Sequence, residues 1–198
     1  MSSSAPGKYA PPTTTNPPNP STQQHSINLN MKPQVSIIMG STSDLPVMEK
    51  ACKFFEEMEI PFEVNALSAH RTPAEVSDFA RNAAARGIRV IIAGAGMAAA
   101  LPGVIAAETP LPVIGVPIKG STLEGLDATL AILQMPPGIP VATVAINGAQ
   151  NAAILAMQIL ALADSTLMQK LIDYKSGLKT KIVKANEELA QLQYKYKC

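Results

Sequence analysis

From Val35 onward the chain alternates short, near-continuous apolar runs with stretches whose apolar residues recur at helical spacing. The runs cover residues 35–39, 62–67, 90–95, 113–118 and 141–146, each of strand length. Between them lie periods such as Met48, Cys52 and Phe55, or Val76, Phe79, Ala80 and Ala83. A strand that is apolar at successive positions is buried on both faces. Five such strands, each followed by a helix, therefore predict an α/β fold, a parallel sheet covered on both sides in a three-layer α/β/α sandwich. Right-handed crossovers and the number of strands favour the order 2-1-3-4-5. Ligands of such sheets sit outside the carboxyl ends of the strands where the winding reverses, here between the first strand and the third.

The later segments carry a different pattern. Residues 149–163 are apolar almost all round, which is more than one outer layer needs and predicts burial on two sides, hence a contact with another subunit. From Asp164 an amphipathic helix with Leu167, Leu171, Ile172, Leu178, Ile182 and Leu189 leads into a Lys-rich tail with Tyr194 and Tyr196, expected to be a solvated arm that docks on a neighbour. Ser121 followed by Glu124 reads as a capping-box signature, and the turn from Gly120 to Gly125 is expected to start a helix running to about Gln134. Residues 1–33 differ from all of this: Pro, Thr, Ser, Asn and Gln dominate, there is no apolar period, and the segment is expected to be disordered. It has neither the apolar core of a signal peptide nor the arginines of a transit peptide, and Met31 is a candidate start of translation. The expected organisation is an extension over 1–33, an α/β domain over 34–163 and a C-terminal helical arm over 164–198.

Composition narrows the partners. A net charge of +1 with 16% charged residues leaves no electrostatic footprint for nucleic acid or an anionic membrane. The apolar runs are too short to span a bilayer, so a soluble protein is expected, and the scarcity of cysteines is consistent with a cytoplasmic location. Cys52 and Cys198 are too few and too far apart for a disulfide framework or a zinc site, and Cys52 reads as a buried, inert thiol.

Three turns at predicted strand ends carry chemistry. Ser68-Ala69-His70-Arg71-Thr72-Pro73 joins a strand to a helix, with Thr72 a good N-cap, Pro73 suited to the first helical position and Glu75 placed for a capping box. A guanidinium and a helix N-terminus favour a bound anion there, and an imidazole moves protons near neutral pH. This suggests a phosphorylated substrate with acid-base chemistry beside it; the alternative is an exposed polar turn that happens to contain His and Arg. In Met39-Gly40-Ser41-Thr42-Ser43-Asp44, Ser41 and Ser43 can donate to phosphate, while Asp44 accepts from sugar hydroxyls or simply caps the next helix. In Ala93-Gly94-Ala95-Gly96, continuing through Met97-Ala98-Ala99-Ala100 to Leu101-Pro102-Gly103, open backbone amides suit a flat ligand, although for such a segment taken alone tight helix-sheet packing is the favoured explanation. The segment lacks the third glycine of a dinucleotide fingerprint.

With Gln134-Met135-Pro136-Pro137-Gly138-Ile139-Pro140-Val141 added, these motifs stand in the order and spacing of a family that the chain resembles over about residues 35–171, the class I 5-(carboxyamino)imidazole ribonucleotide mutases of de novo purine synthesis. The resemblance implies a flavodoxin-like core, assembly as a homo-octamer with sites near subunit contacts, a small nucleotide as substrate, and no metal, ATP or biotin. It implies reversible transfer of a carboxylate from the exocyclic nitrogen to imidazole C4. By position, His70 is the implied general acid and base. Ser41, Asp44 and Arg71 bind the nucleotide, Arg71 and the hydroxyls on phosphate and Asp44 on ribose. Ser43, Ser68, Ala69, Gly94, Ala95, Gly96 and Leu101 complete the implied pocket. Many members carry a histidine where this chain has Ala100. With only His25 and His70 present, and His25 in the N-terminal segment, proton transfer falls to His70 alone.

Rival readings remain at this level. A direct aminoimidazole ribonucleotide carboxylase of the same superfamily resembles Lys instead of Arg after the histidine, so Arg71-Thr72-Pro73 argues against it. A related carboxylase acting on a nicotinic acid dinucleotide lacks the Ser-Ala-His-Arg-Thr-Pro turn. A non-catalytic nucleotide sensor on the same core is opposed only by the retained His70. Flavin binding is disfavoured by 4% aromatics and the lack of Trp.

Overall fold

The computed structural model describes residues 31–197. The chain divides into two units, Met1–Met31 and Lys32–Cys198, and the fold belongs to the second. The expected disorder of the extension over residues 1–30, His25 and Cys198 lie outside the described residues.

Five parallel strands, β1 (Val35–Met39), β2 (Phe62–Ala66), β3 (Val90–Gly96), β4 (Val113–Ile118) and β5 (Ala142–Thr143), form one sheet in the order β2-β1-β3-β4-β5. Every residue of β1 and β4 is buried, as their unbroken apolar runs require, while the edge strand β2 is half-exposed. Met39 lies level with Ala66 on one side and Gly94 on the other, so the chain leaves β1, β2 and β3 at the same rim.

The fifth strand is two residues long, against the six of its apolar run. Pro117 explains the difference. Val144 N–H donates to the Gly115 carbonyl and Asn147 N–H to the Pro117 carbonyl, which marks the side of β4 that faces the last strand. On that side Pro117 has no N–H to give, and the ladder stops.

Among the described residues four helices connect the strands, α1 (Leu45–Met58), α2 (Pro73–Asn82), α3 (Leu101–Glu108) and α4 (Leu126–Leu133), and two follow the last strand, α5 (Ala149–Ala161) and α6 (Ser165–Ala190), with a 3-10 turn at Thr42–Asp44. On one face of the sheet Met48 and Phe55 of α1, Ala152, Ala156 and Met157 of α5, and Leu167 and Leu171 of α6 pack with Ile37, Ile92, Ile114 and Val116. On the other, Val76 of α2, Ile105 of α3 and Ile132 of α4 pack with Ile38, Ile91, Ala93 and Val113. The result is the expected three-layer α/β/α sandwich of flavodoxin-like topology.

Two expectations change. The apolar excess of α5 is covered by α6 of the same chain, so its second buried side needs no neighbouring subunit. Lys170 fixes this arrangement by donating to the Met58 carbonyl at the end of α1 and pairing with Glu59 at 2.7 Å. The helix expected after the Gly120 to Gly125 turn is α4, which runs from Leu126 to Leu133 with Gln134 as its C-cap, but the capping box of Ser121 and Glu124 is not formed. Glu124 and Gly125 are both left-handed, with φ of 55° and 91°, which no helix tolerates, and the Glu124 carboxylate pairs with Lys119 instead of turning back to Ser121.

The C-terminal helix starts as expected at an Asp164 cap that accepts from the N–H groups of Thr166 and Leu167. Beyond Tyr174, whose ring stands edge-on to Phe54 at 5.4 Å, its residues are exposed. Cys52 is half-buried, not fully buried. Its thiol points back to the Met48 carbonyl, and burial raises its pKa, which leaves it unreactive. No helix among the described residues is long and apolar enough to cross a membrane.

Candidate active site

The loops that leave β1, β2, β3 and β4 surround a cavity of about 630 Å³ at the carboxyl rim of the sheet, where the winding reverses. The first wall is the turn after β1. Ser41 caps the 3-10 turn by accepting from Ser43 N–H at 3.3 Å, and Ser43 Oγ donates to Asp44 Oδ1 at 3.4 Å. Asp44 occupies the N-cap position of α1, yet its side chain makes no capping bond, so the carboxylate is left toward the cavity. Burial raises its pKa. Hydrogen bonds from Ser41 and Ser43 and the charge of Arg71 offset part of that rise.

The second wall is the turn after β2, which closes on itself. Thr72 Oγ1 donates to the Ser68 carbonyl at 3.1 Å and accepts from Ser68 N–H at 2.9 Å, so Thr72 fastens the turn and does not cap α2, and the capping box with Glu75 is not formed. Pro73 still opens the helix. Arg71 crosses to the first wall: Nη2 donates to the Gly40 carbonyl at 2.8 Å, while Nε donates to Ser68 Oγ at 3.3 Å. A guanidinium has five N–H groups, so three stay open to an anion among the described residues. His70 stands exposed at the tip of the turn, with no hydrogen bond among the described residues, and lines the cavity. An unpaired imidazole beside a fixed cation can exchange a proton with whatever the guanidinium holds.

The third wall follows β3. Ala95, Gly96 and Leu101 line the cavity, and Ser41, Ser43, Asp44, Ser68, Ala69, His70 and Arg71 line it from the other side. Gly94 does not. A Cβ there would come within 2.6 Å of Met48 Sδ, so this glycine serves the seating of α1 on the sheet. Ala100 sits at the N-cap of α3 without a capping side chain and faces the cavity.

Met97, Ala98 and Ala99, within the small-residue segment after β3 that the sequence already marked as open to a ligand, line the cavity too, and so do Ile118, Lys119 and Gly120 after β4, which the sequence had not marked. The available signal was position: the rule that ligands meet strand carboxyl ends applies to β4 as much as to β1, and Lys119 follows β4 directly.

The model of the AIR carboxylase family matches residues 34–181. A Thermotoga maritima protein named N5-carboxyaminoimidazole ribonucleotide mutase is 53% identical over 82% of this chain and 95% of its own length. A Candida glabrata protein named phosphoribosylaminoimidazole carboxylase is 52% identical over 82% of this chain, which spans only 29% of that protein's length. The crystal structure of Treponema denticola PurE superposes with a TM-score of 0.73 at 29% identity, covering 79% of this chain and 98% of that one. The family model spans most of the described residues and a relative above 50% identity is matched over nearly its whole length, so the chain belongs to the AIR carboxylase family.

Proposed function

We propose that the chain is a 5-(carboxyamino)imidazole ribonucleotide mutase of purine biosynthesis. The observation that carries the reading is the convergence of an unpaired His70, the loop-bridging Arg71, Ser41, Ser43 and the half-buried Asp44 on one cavity. The name of the Thermotoga maritima relative, matched over nearly its whole length, supports it. Arg71 and the serine hydroxyls hold the phosphate, Asp44 accepts from the ribose, and Ser68, Ala69, Ala95, Gly96 and Leu101 shape the remainder.

In this mechanism protonated His70 gives its proton to the carbamate nitrogen as the nitrogen-carbon bond breaks, which leaves carbon dioxide beside the amine form of the nucleotide. The ring carbon C4 attacks the trapped carbon dioxide. Neutral His70 then takes the C4 proton, which restores the aromatic ring and returns the imidazole to its starting state. A second reading, direct carboxylation of the amine form, is favoured by the name of the Candida glabrata relative. For the assembly we propose the homo-octamer that the family resemblance implies; contact between copies is supported by the outward apolar residues Leu126, Leu130 and Leu133 of α4, which are 56%, 49% and 55% exposed.

The test is His70→Asn. It is expected to bind 5-aminoimidazole ribonucleotide with little change while turnover falls by about 10² to 10⁴, the usual range for loss of a general acid and base. Turnover near the wild-type rate would refute the assignment.

A further inference from the structure

Met97 is a large apolar residue in an unusual place. It follows β3 in the left-handed region with φ of 53°, in a turn closed by Ala99 N–H donating to the Gly96 carbonyl at 3.0 Å. Ala99, in the same turn, has φ of 35°. A residue with a Cβ is strained at such angles, where glycine would be at ease. The Met97 side chain is nevertheless 71% exposed and lines the cavity. Both features are unfavourable in the empty protein.

The direction of the side chain gives them a purpose. A Cβ built on Gly120 would lie 3.9 Å from Met97 Cγ, so the Met97 side chain leaves the loop after β3 beside the loop after β4. Those two loops form the side of the cavity that faces the His70 and Arg71 turns, because β3 and β4 follow β2 and β1 in the sheet. Gly120 has no side chain with which to compete for that space. An unbranched thioether can adapt to the shape of a ligand that arrives beneath it.

We propose that Met97 is a positioning residue, an apolar cap that closes over the bound nucleotide from the β3 and β4 side and keeps the released carbon dioxide next to C4. The inference rests on the mutase reading and adds to it the means of retention. Ligand burial beneath the thioether replaces the exposure of Met97 in the empty site. Carbon dioxide is small and uncharged, so Arg71 holds it far less firmly than a phosphate, and closure of the apolar side slows its loss.

The experiment compares the wild-type protein with Met97→Ala, Met97→Gly and Met97→Leu in two measurements. One follows release of 5-aminoimidazole ribonucleotide by displacement, with no chemistry involved. The other gives the ratio of free amine to C4-carboxylated product formed from the carboxyamino nucleotide, corrected for its decay without protein. The Ala and Gly variants are expected to release nucleotide about tenfold faster, as loss of one apolar cover implies, and to leak amine. The Leu variant, which keeps apolar bulk, is expected to stay within about twofold of wild type. Met97→Gly also relieves the backbone, so its thermal midpoint should not fall, which separates loss of the cap from loss of the fold.

Wild-type release and partition in the Ala variant would overturn the cap and leave the mutase reading standing. Faster release from the Ala variant, with no conversion by the wild-type protein, would instead support the cap and remove the mutase reading.

Discussion

Arg71 and Asp44 show how single residues shape this site. Arg71 joins the turns after β1 and β2 through one carbonyl and one hydroxyl, so the two segments that carry the polar chemistry are held as a unit before any ligand arrives. Asp44 is half-buried, and its carboxyl is raised above the usual 3.8 chiefly by that burial. Its folded-state value therefore exceeds its unfolded one. As pH rises from strongly acid, the unfolded chain gives up this proton first, and the folded state loses relative stability until the folded carboxyl ionises. Asp44→Asn removes that penalty. Thermal melts should show the variant more stable than wild type at neutral pH, with the gap closing as pH falls below the aspartate range, while nucleotide affinity drops. A variant less stable than wild type at neutral pH would contradict the assignment of burial as the dominant cause.

His70, Arg71, Ser41 and Ser43 were legible in the sequence because each combines a reactive side chain with a position just past an apolar run. Gly94 was not separable from its neighbours by that logic. Along β3 the side chains alternate faces, and only the packing of Met48 shows that Gly94 answers to α1 and not to the cavity.

At the scale of elements, apolar runs located all five strands, and strand order followed from the handedness of the crossovers. What composition could not say was which N–H the sheet would need. Pro117 shortens β5 because its ring falls on the bonded side of β4, a fact of register that no local pattern contains. The capping box before α4 fails for a related reason: Ser121 and Glu124 have its spacing, but left-handed backbone at Glu124 and Gly125 breaks it. The covering of α5 by α6 likewise depends on where the chain goes next. Periodicity reports that a face is buried, not what buries it.

The close seating of helices on the sheet makes a prediction of its own. Gly115 in β4 has no room for a side chain: a Cβ would lie 2.4 Å from Ile132 Cγ2 and 3.0 Å from Val141 Cγ1. Ile132 is fully buried and branched at Cβ, so it cannot swing clear. Gly115→Ala should lower stability by about 1–3 kcal/mol, the usual cost of overpacking a filled core, read as a lower urea midpoint. An unchanged midpoint would mean that α4 can lift from the sheet more easily than its packing suggests.

For the molecule as a whole, the unpartnered surface matters most. Leu126, Leu130 and Leu133 present one apolar face of α4, with Leu123 just before it, immediately beyond the loop that supplies Lys119 and Gly120 to the cavity. A contact between copies on this face would brace the cavity's β4 side. Light scattering should therefore find Leu130→Glu smaller in mass than wild type, with activity reduced along with assembly. Unchanged mass would place the contact elsewhere. The proposed reaction moves one carboxylate within a single bound nucleotide. The most direct test supplies carboxyamino nucleotide labelled at its carboxylate carbon, in a large excess of unlabelled bicarbonate. The account predicts C4-carboxylated product that retains the label; unlabelled product, with the label lost to bulk bicarbonate, would contradict it.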